Sequence, residues 1–180
     1  MGFFDRFKKD ADDDGFDPLD LQLSRLRVGY LVDYDLKTWE VKAYNRYDFG
    51  EGQFADEWEL QADGQSVYLN REKDDEEYWS LSKKLPLGAI EENIKKHIME
   101  NEDPPNQITV KGQTYYLDAS APGYLLKGGY GPRVPFIVWE FIDEEDRNFV
   151  TIEQWDESEF EASIGFEVEE YQFSNILPGS

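Results

Sequence analysis

Apolar and polar residues alternate with a period of two along most of this chain. Val28, Tyr30 and Val32 alternate with Gly29, Leu31 and Asp33, and Trp39, Val41 and Ala43 alternate with Glu40 and Lys42. Half-buried antiparallel strands carry this pattern, because successive side chains point to opposite faces. The alternation predicts further strands through Trp58-Glu59-Leu60, Val67-Tyr68-Leu69 and Tyr78-Trp79-Ser80-Leu81. After a break it resumes at Ile108 and Val110 and through 114–117, 134–142, 149–155, 160–164 and 166–173. Asp63-Gly64 and Lys111-Gly112 sit between strand-like runs and predict tight hairpins, and 143–147 predicts a further turn. One segment changes period: Leu87, Ile90, Ile94 and Ile98 fall at three- and four-residue steps. They predict one amphipathic helix over 87–100, stopped by Asp103-Pro104-Pro105-Asn106.

The strand pattern occurs twice. Trp58-Glu59-Leu60 is followed ten positions on by Tyr68 and eleven further by Trp79. Trp139-Glu140-Phe141 is followed at the same intervals by Phe149 and Phe160. The expectation is a mainly β protein of two related antiparallel units, small barrels or sandwiches of about five strands each, joined by the amphipathic helix. The units are placed at 18–86 and 103–180, with the helix at 87–102 and a head and tether at 1–17. The two units are expected either to stand apart or to share one core.

Composition narrows the function classes. The 180 residues are 39% hydrophobic and 16% aromatic, enough to build a core. Forty acidic against 18 basic residues give a formal charge of −22, which repels phosphate backbones and argues against nucleic-acid binding. The same charge favours cations, polyamines or a basic protein partner. There is no cysteine, which removes disulfides, thiolate metal sites and cysteine nucleophiles. No run approaches a membrane span, and the N-terminus lacks a signal-peptide core, so the cytoplasm is the expected location.

The catalytic inventory is thin. His97 is the single histidine, lies on the predicted helix and has no nucleophile motif to serve, so it reads as a rim histidine. Asp10 to Gly15 begins like a calcium loop, but Asp17 and Leu21 stand where that loop needs an apolar residue and a bidentate glutamate. Gly128-Gly129-Tyr130-Gly131-Pro132 lacks the Gly-Lys-Ser/Thr ending of a phosphate loop and reads as a flexible loop, with Tyr124 and Tyr130 as candidate partner contacts. No cofactor or metal site is expected. Trp58 and Trp139, with Glu59 and Glu140 beside them, are the candidate ligand-binding set, by cation–π contact and charge. The competing reading is that alternation buries the tryptophans and turns the glutamates to solvent. Phe3, Phe4 and Phe7 precede the acidic tether and lie beside Arg6, Lys8 and Lys9. They are candidate docking residues for a protein partner or, peripherally, for a membrane interface.

Val28-Gly29-Tyr30-Leu31-Val32-Asp33-Tyr34, Glu57-Trp58-Glu59-Leu60, Gly112-Gln113-Thr114-Tyr115-Tyr116-Leu117, Trp139-Glu140-Phe141 and Glu153-Gln154-Trp155 together resemble the bacterial family of domain of unknown function 4178, over about 20–178. The resemblance implies a bacterial cytoplasmic β protein with no assigned activity. It also implies genomic company with spermidine synthase and phage-shock-type stress proteins. It supplies no catalytic residues. The leading expectation is therefore a non-enzymatic adaptor or binding protein, acting near the membrane in a stress or polyamine-linked pathway. A small cationic ligand binder is the alternative, and a carboxylate-dependent hydrolase is the second alternative.

Overall fold

Residues 21–179 are described by the structure, a computed structural model. The chain is mainly β, with strands β1 (Leu31–Tyr34), β2 (Lys37–Asp48), β3 (Phe54–Ala62), β4 (Gln65–Lys73) and β5 (Glu77–Leu85) in its first half. Helix α1 (Ile94–Asn101) follows. The second half holds β6 (Gln107–Val110), β7 (Gln113–Lys127), β8 (Val134–Ile142), β9 (Asn148–Asp156), β10 (Glu159–Val168) and β11 (Ser174–Leu177). All belong to one antiparallel sheet in the order β11-β1-β2-β3-β4-β5-β10-β9-β8-β7-β6. β2 also pairs with β7, so the eight strands from β2 to β5 and from β10 back to β7 close a ring of hydrogen-bonded neighbours. The two expected units are thus joined along two seams in a single sheet.

Local turn chemistry explains the hairpins. The two-residue turns Asp63-Gly64 and Lys111-Gly112 both carry positive φ at each residue (51° and 74°, 50° and 77°). That geometry matches the right-handed strand twist and is the one in which Gly is favoured. Asp35-Leu36 makes the same turn between β1 and β2 without a glycine (48° and 62°), which is why nothing in the sequence marked it.

The halves follow one plan. Strand order reads β1 to β5, then β10 back to β6. The register of β2 against β3 slips between Val41 and Ala43, and that of β7 against β8 slips between Leu117 and Ala119. Such bulges bend a strand and raise its twist, which helps a sheet curl onto itself.

Alternation gives the sheet two faces. One carries two hydrophobic clusters. The first includes Trp58, Leu60, Leu69 and Trp79 with Leu23, Leu26 and Phe173. The second includes Trp139, Phe141, Val150 and Ile152 with Ile90, Ile94 and Ile98. Fully burying side chains of this size stabilises by about 1.5–3 kcal/mol each in transfer energy.

Three expectations need correction. The predicted helix over 87–100 is shorter: Leu87–Ala89 is a 3-10 turn, Ile90 bridges Val110, and α1 begins only after Asn93, whose side chain caps the Lys96 N–H at 3.2 Å. The apolar spacing was read correctly as a buried face, but Asn93 starts a new element within it. The segments 160–164 and 166–173 are not two strands, because β10 runs unbroken to Val168 and a 3-10 turn at Glu170–Gln172 leads into β11. The strand expected at 114–117 is much longer, because β7 continues through Pro122 and Gly123 to Lys127.

Candidate functional site

The face of the sheet opposite the two clusters forms a half-open cavity of about 430 Å3. In β3, Trp58 and Leu60 point to the core, so Ala55 and Glu57 line the cavity. In β8, Trp139 and Phe141 point to the core, so Phe136, Val138 and Glu140 line it. β4 and β9 supply Asn70 and Glu72, and Thr151 and Glu153. Ser80, Ser82 and Ser163 contribute hydroxyls from the β5–β10 seam.

Aromatic rings close the end near the β2–β7 seam. Tyr47 meets Phe136 edge-on at 5.4 Å, Phe49 meets Phe136 at 5.9 Å, and Phe136 stacks on Trp155 at 4.9 Å. Gly123 permits this: a Cβ there would lie 2.9 Å from the Phe49 ring and 3.0 Å from the Phe136 ring.

Five carboxyl groups line the cavity, and four of them, Glu57, Glu72, Glu140 and Glu153, are harder to ionise than usual. Burial raises Glu57, against hydrogen bonds from Asn45 Nδ2 (3.2 Å) and the Tyr47 hydroxyl (3.3 Å) and against the charge of Lys84. Partial desolvation raises Glu72, whose side chain stays exposed at the rim of the cavity. Burial, then the charges of Glu72 and Asp118, push Glu140 up to about 7. Burial, then Glu57 and Glu161, push Glu153 up to about 7, although Lys84 and Trp155 oppose them. β8 is not a sheet neighbour of β4, nor is β9 of β3, so Glu72 acts on Glu140, and Glu57 on Glu153, across the cavity. Lys84 is held by Glu161 at 2.8 Å, and although burial disfavours its charge, Glu161, Glu153 and Glu57 keep its pKa high. Burial and the charges of Glu167, Glu140 and Glu72 push Tyr78 up to about 12, so its hydroxyl stays a donor. Among the described residues, no three His, Cys, Asp or Glu side chains are grouped so as to hold a metal ion.

The sequence-predicted residues scatter. Trp58 and Trp139 are each 2% exposed and belong to the core clusters. Their Nε1 groups donate to Leu26 O (2.9 Å) and Asp103 Oδ1 (3.4 Å) respectively. Neither lines the cavity, so neither indole is presented to a ligand there; packing claimed both. Glu140 does line it, whereas Glu59 accepts from Ser66 Oγ at 3.2 Å and lies outside the cavity wall. Tyr124 is partly exposed under the Arg133 guanidinium, 4.2 Å from the ring centre, and Tyr130 is 90% exposed. Phe3, Phe4 and Phe7 lie outside the described residues, as does most of the calcium-like segment. His97 is half-buried, with Nδ1 2.8 Å from Asp103 O. Sequence reading missed Glu57, Glu72, Glu153 and Tyr47. The available signal was their alternation with core residues on strands whose second face had been assigned to solvent.

Three comparisons bear on identity. The model of the family described as domain of unknown function (DUF4178) matches residues 27–170. An uncharacterised protein of Aquifex aeolicus (strain VF5) is 29% identical over 182 residues, covering 99% of both chains. No solved structure matches. Among the described residues no helix is long and apolar enough to cross a membrane. The chain belongs to the DUF4178 family.

Proposed function

We propose that this member of the DUF4178 family is a non-enzymatic binding protein that takes a small organic cation into its carboxylate-lined cavity. The observation that carries the reading is the convergence of Glu57, Glu72, Glu140 and Glu153 on one cavity of about 430 Å3. That volume falls in the range of small-molecule sites, about 300–1,000 Å3. Partly desolvated carboxyls gain from a cation that enters and neutralises them. The carboxylates stand on opposite walls, which suits an extended ammonium compound with more than one charge. The rings of Tyr47, Phe49, Phe54 and Phe136 offer surface to its methylenes and faces to its charge. Polyamines have this chemistry, and they are the class that the acidic composition favours. The site is built equally from two halves with matched bulges, which supports an internal duplication as its origin.

A second reading, the adaptor near a membrane in the bacterial cytoplasm, keeps a specific observation in its favour. Tyr130 stands 90% exposed in the turn after β7, with Tyr124 and Arg133 nearby. A basic or neutral protein partner reaching that turn, with Phe3, Phe4 and Phe7 as an additional contact, is the form it takes.

Spermidine titration followed by tryptophan fluorescence tests the first reading, because Trp155 stacks on Phe136 beside Glu153. Saturable quenching is expected, with Glu140→Gln and Glu153→Gln each weakening affinity about tenfold, the scale of one lost charge-assisted contact. No quenching and no heat at millimolar spermidine overturns it. Affinity purification from the native host, comparing wild type with Tyr130→Ala, tests the second: a partner retained equally by both rules out this turn as the contact.

A further inference from the structure

The cavity holds more acid than base. Glu57 and Glu153 face each other from β3 and β9, and Glu72 and Glu140 from β4 and β8. Around the first pair stand Lys84, Glu161, Glu59, Asn45, Tyr47 and Trp155. The Lys84 ammonium is bonded to Glu161, so it is shared among three carboxylates. Around the second pair stand Asp118 and the Tyr78 hydroxyl, itself facing Glu167, with Lys73 and Asp74 further along the wall. Two like charges facing each other across a partly enclosed cavity raise each other's proton affinity, and a proton is the simplest counter-charge.

We propose that protons and the ligand's cationic groups compete for these two carboxylate pairs, so that uptake of the cation expels protons and the site loads at higher pH and empties at lower pH. The inference rests on the cation-binding reading above. Each step balances: an O–H bond of a carboxyl breaks, the proton leaves to solvent, and the ligand's ammonium, keeping its own protons, takes its place beside the carboxylate. The burial-driven rise of Glu140 and Glu153 to about 7 puts the exchange near neutral pH. An ammonium bound at an exposed carboxylate would exchange no protons there, because that group is already ionised.

Calorimetric titration of the full chain with 1,4-diaminobutane at pH 6.5, in buffers of low and high ionisation enthalpy, reads the exchange directly. The heat should depend on the buffer, with a slope of on the order of one proton released per ligand, and affinity should weaken up to about tenfold for each pH unit lowered below 7. Heats that are present but independent of buffer and pH overturn the exchange while leaving the binding reading intact. No heat in any buffer removes the binding reading and this inference with it. Infrared spectra of the ligand-free protein give an independent readout. A protonated-carboxyl band should persist above pH 6 and shrink in Glu140→Gln and in Glu153→Gln, and its absence in wild type at pH 6 also overturns the exchange.

Discussion

Asp48 and Tyr124 are directly paired across the β2–β7 seam, and each stands five positions beyond the residue at which pairing resumes after the bulge of its own strand, Ala43 and Ala119. Corresponding positions of the two halves therefore meet at the seam. The β5–β10 seam does the same: Lys83 pairs with Ile164, and each lies four positions beyond the aligned residues Trp79 and Phe160. At each seam, matching positions of the two strand series pair with each other. The cavity lies between the seams, which is why each half supplies carboxylates to one shared space.

Both seams have an inward glycine under a phenylalanine ring, and they should differ in tolerance. A Cβ on Gly165 would lie 2.6 Å from both the Leu81 carbonyl oxygen and the Phe149 ring. A Cβ on Gly123 meets the Phe49 ring at 2.9 Å, with the nearest backbone atom 3.2 Å away. Backbone yields less than a ring edge, so Gly165→Ala should cost about 1–3 kcal/mol and Gly123→Ala less. Urea denaturation midpoints of the two variants decide the order.

Core truncations should be severe and similar in the two halves. Leu60 and Phe141 occupy corresponding places and are both 0% exposed. Leu60→Ala should lose about 2–5 kcal/mol and Phe141→Ala about 3–5 kcal/mol, each measured by chemical denaturation. A loss under 1 kcal/mol at either site contradicts its place in the core.

Stability should fall as pH rises towards neutrality. Glu140 and Glu153 bind protons more tightly folded than unfolded, so their contribution is full below about 4.5 and is lost as pH passes about 7. Each rise corresponds to on the order of 3 kcal/mol. Glu140→Gln should therefore stabilise the protein at pH 8 relative to wild type and change little at pH 4.5. On the acid side the sign reverses. Hydrogen bonds from Thr38 and Asn175 hold Asp33 below its ordinary value. Asp143 is also lowered: burial opposes its charge, but bonds from the Asn148 side chain and the Arg147 and Asn148 N–H groups outweigh it. Their contributions are lost as pH drops below about 4. Denaturation midpoints from pH 3 to 9 test both limbs.

Helix α1 should be sensitive to its cap. Asn93 accepts the Lys96 N–H at 3.2 Å, and the helix has only 8 residues. Asn93→Ala should cost about 1 kcal/mol, and Asn93→Asp should recover most of it. Circular dichroism melts of the pair distinguish a cap from a residue of no consequence.

Period-two alternation, turn residues and apolar spacing are local quantities, so the sequence by itself determined the β character, most strand positions, the two Gly-containing hairpins and the buried stripe through Ile90, Ile94 and Ile98. The repeated aromatic spacing is also legible there, because spacing needs no knowledge of contacts. Pairing between β2 and β7 or β5 and β10 is non-local: it depends on bulge-induced twist and on seam register, which no short window of residues encodes. Only the tertiary structure decided that the two series form one ring, and so which face of each strand is dry core and which is cavity wall. On that decision Trp58 and Trp139 went to the core. Glu57, Glu72 and Glu153, which the sequence displays only as ordinary polar positions of alternating strands, came to share one cavity with Glu140.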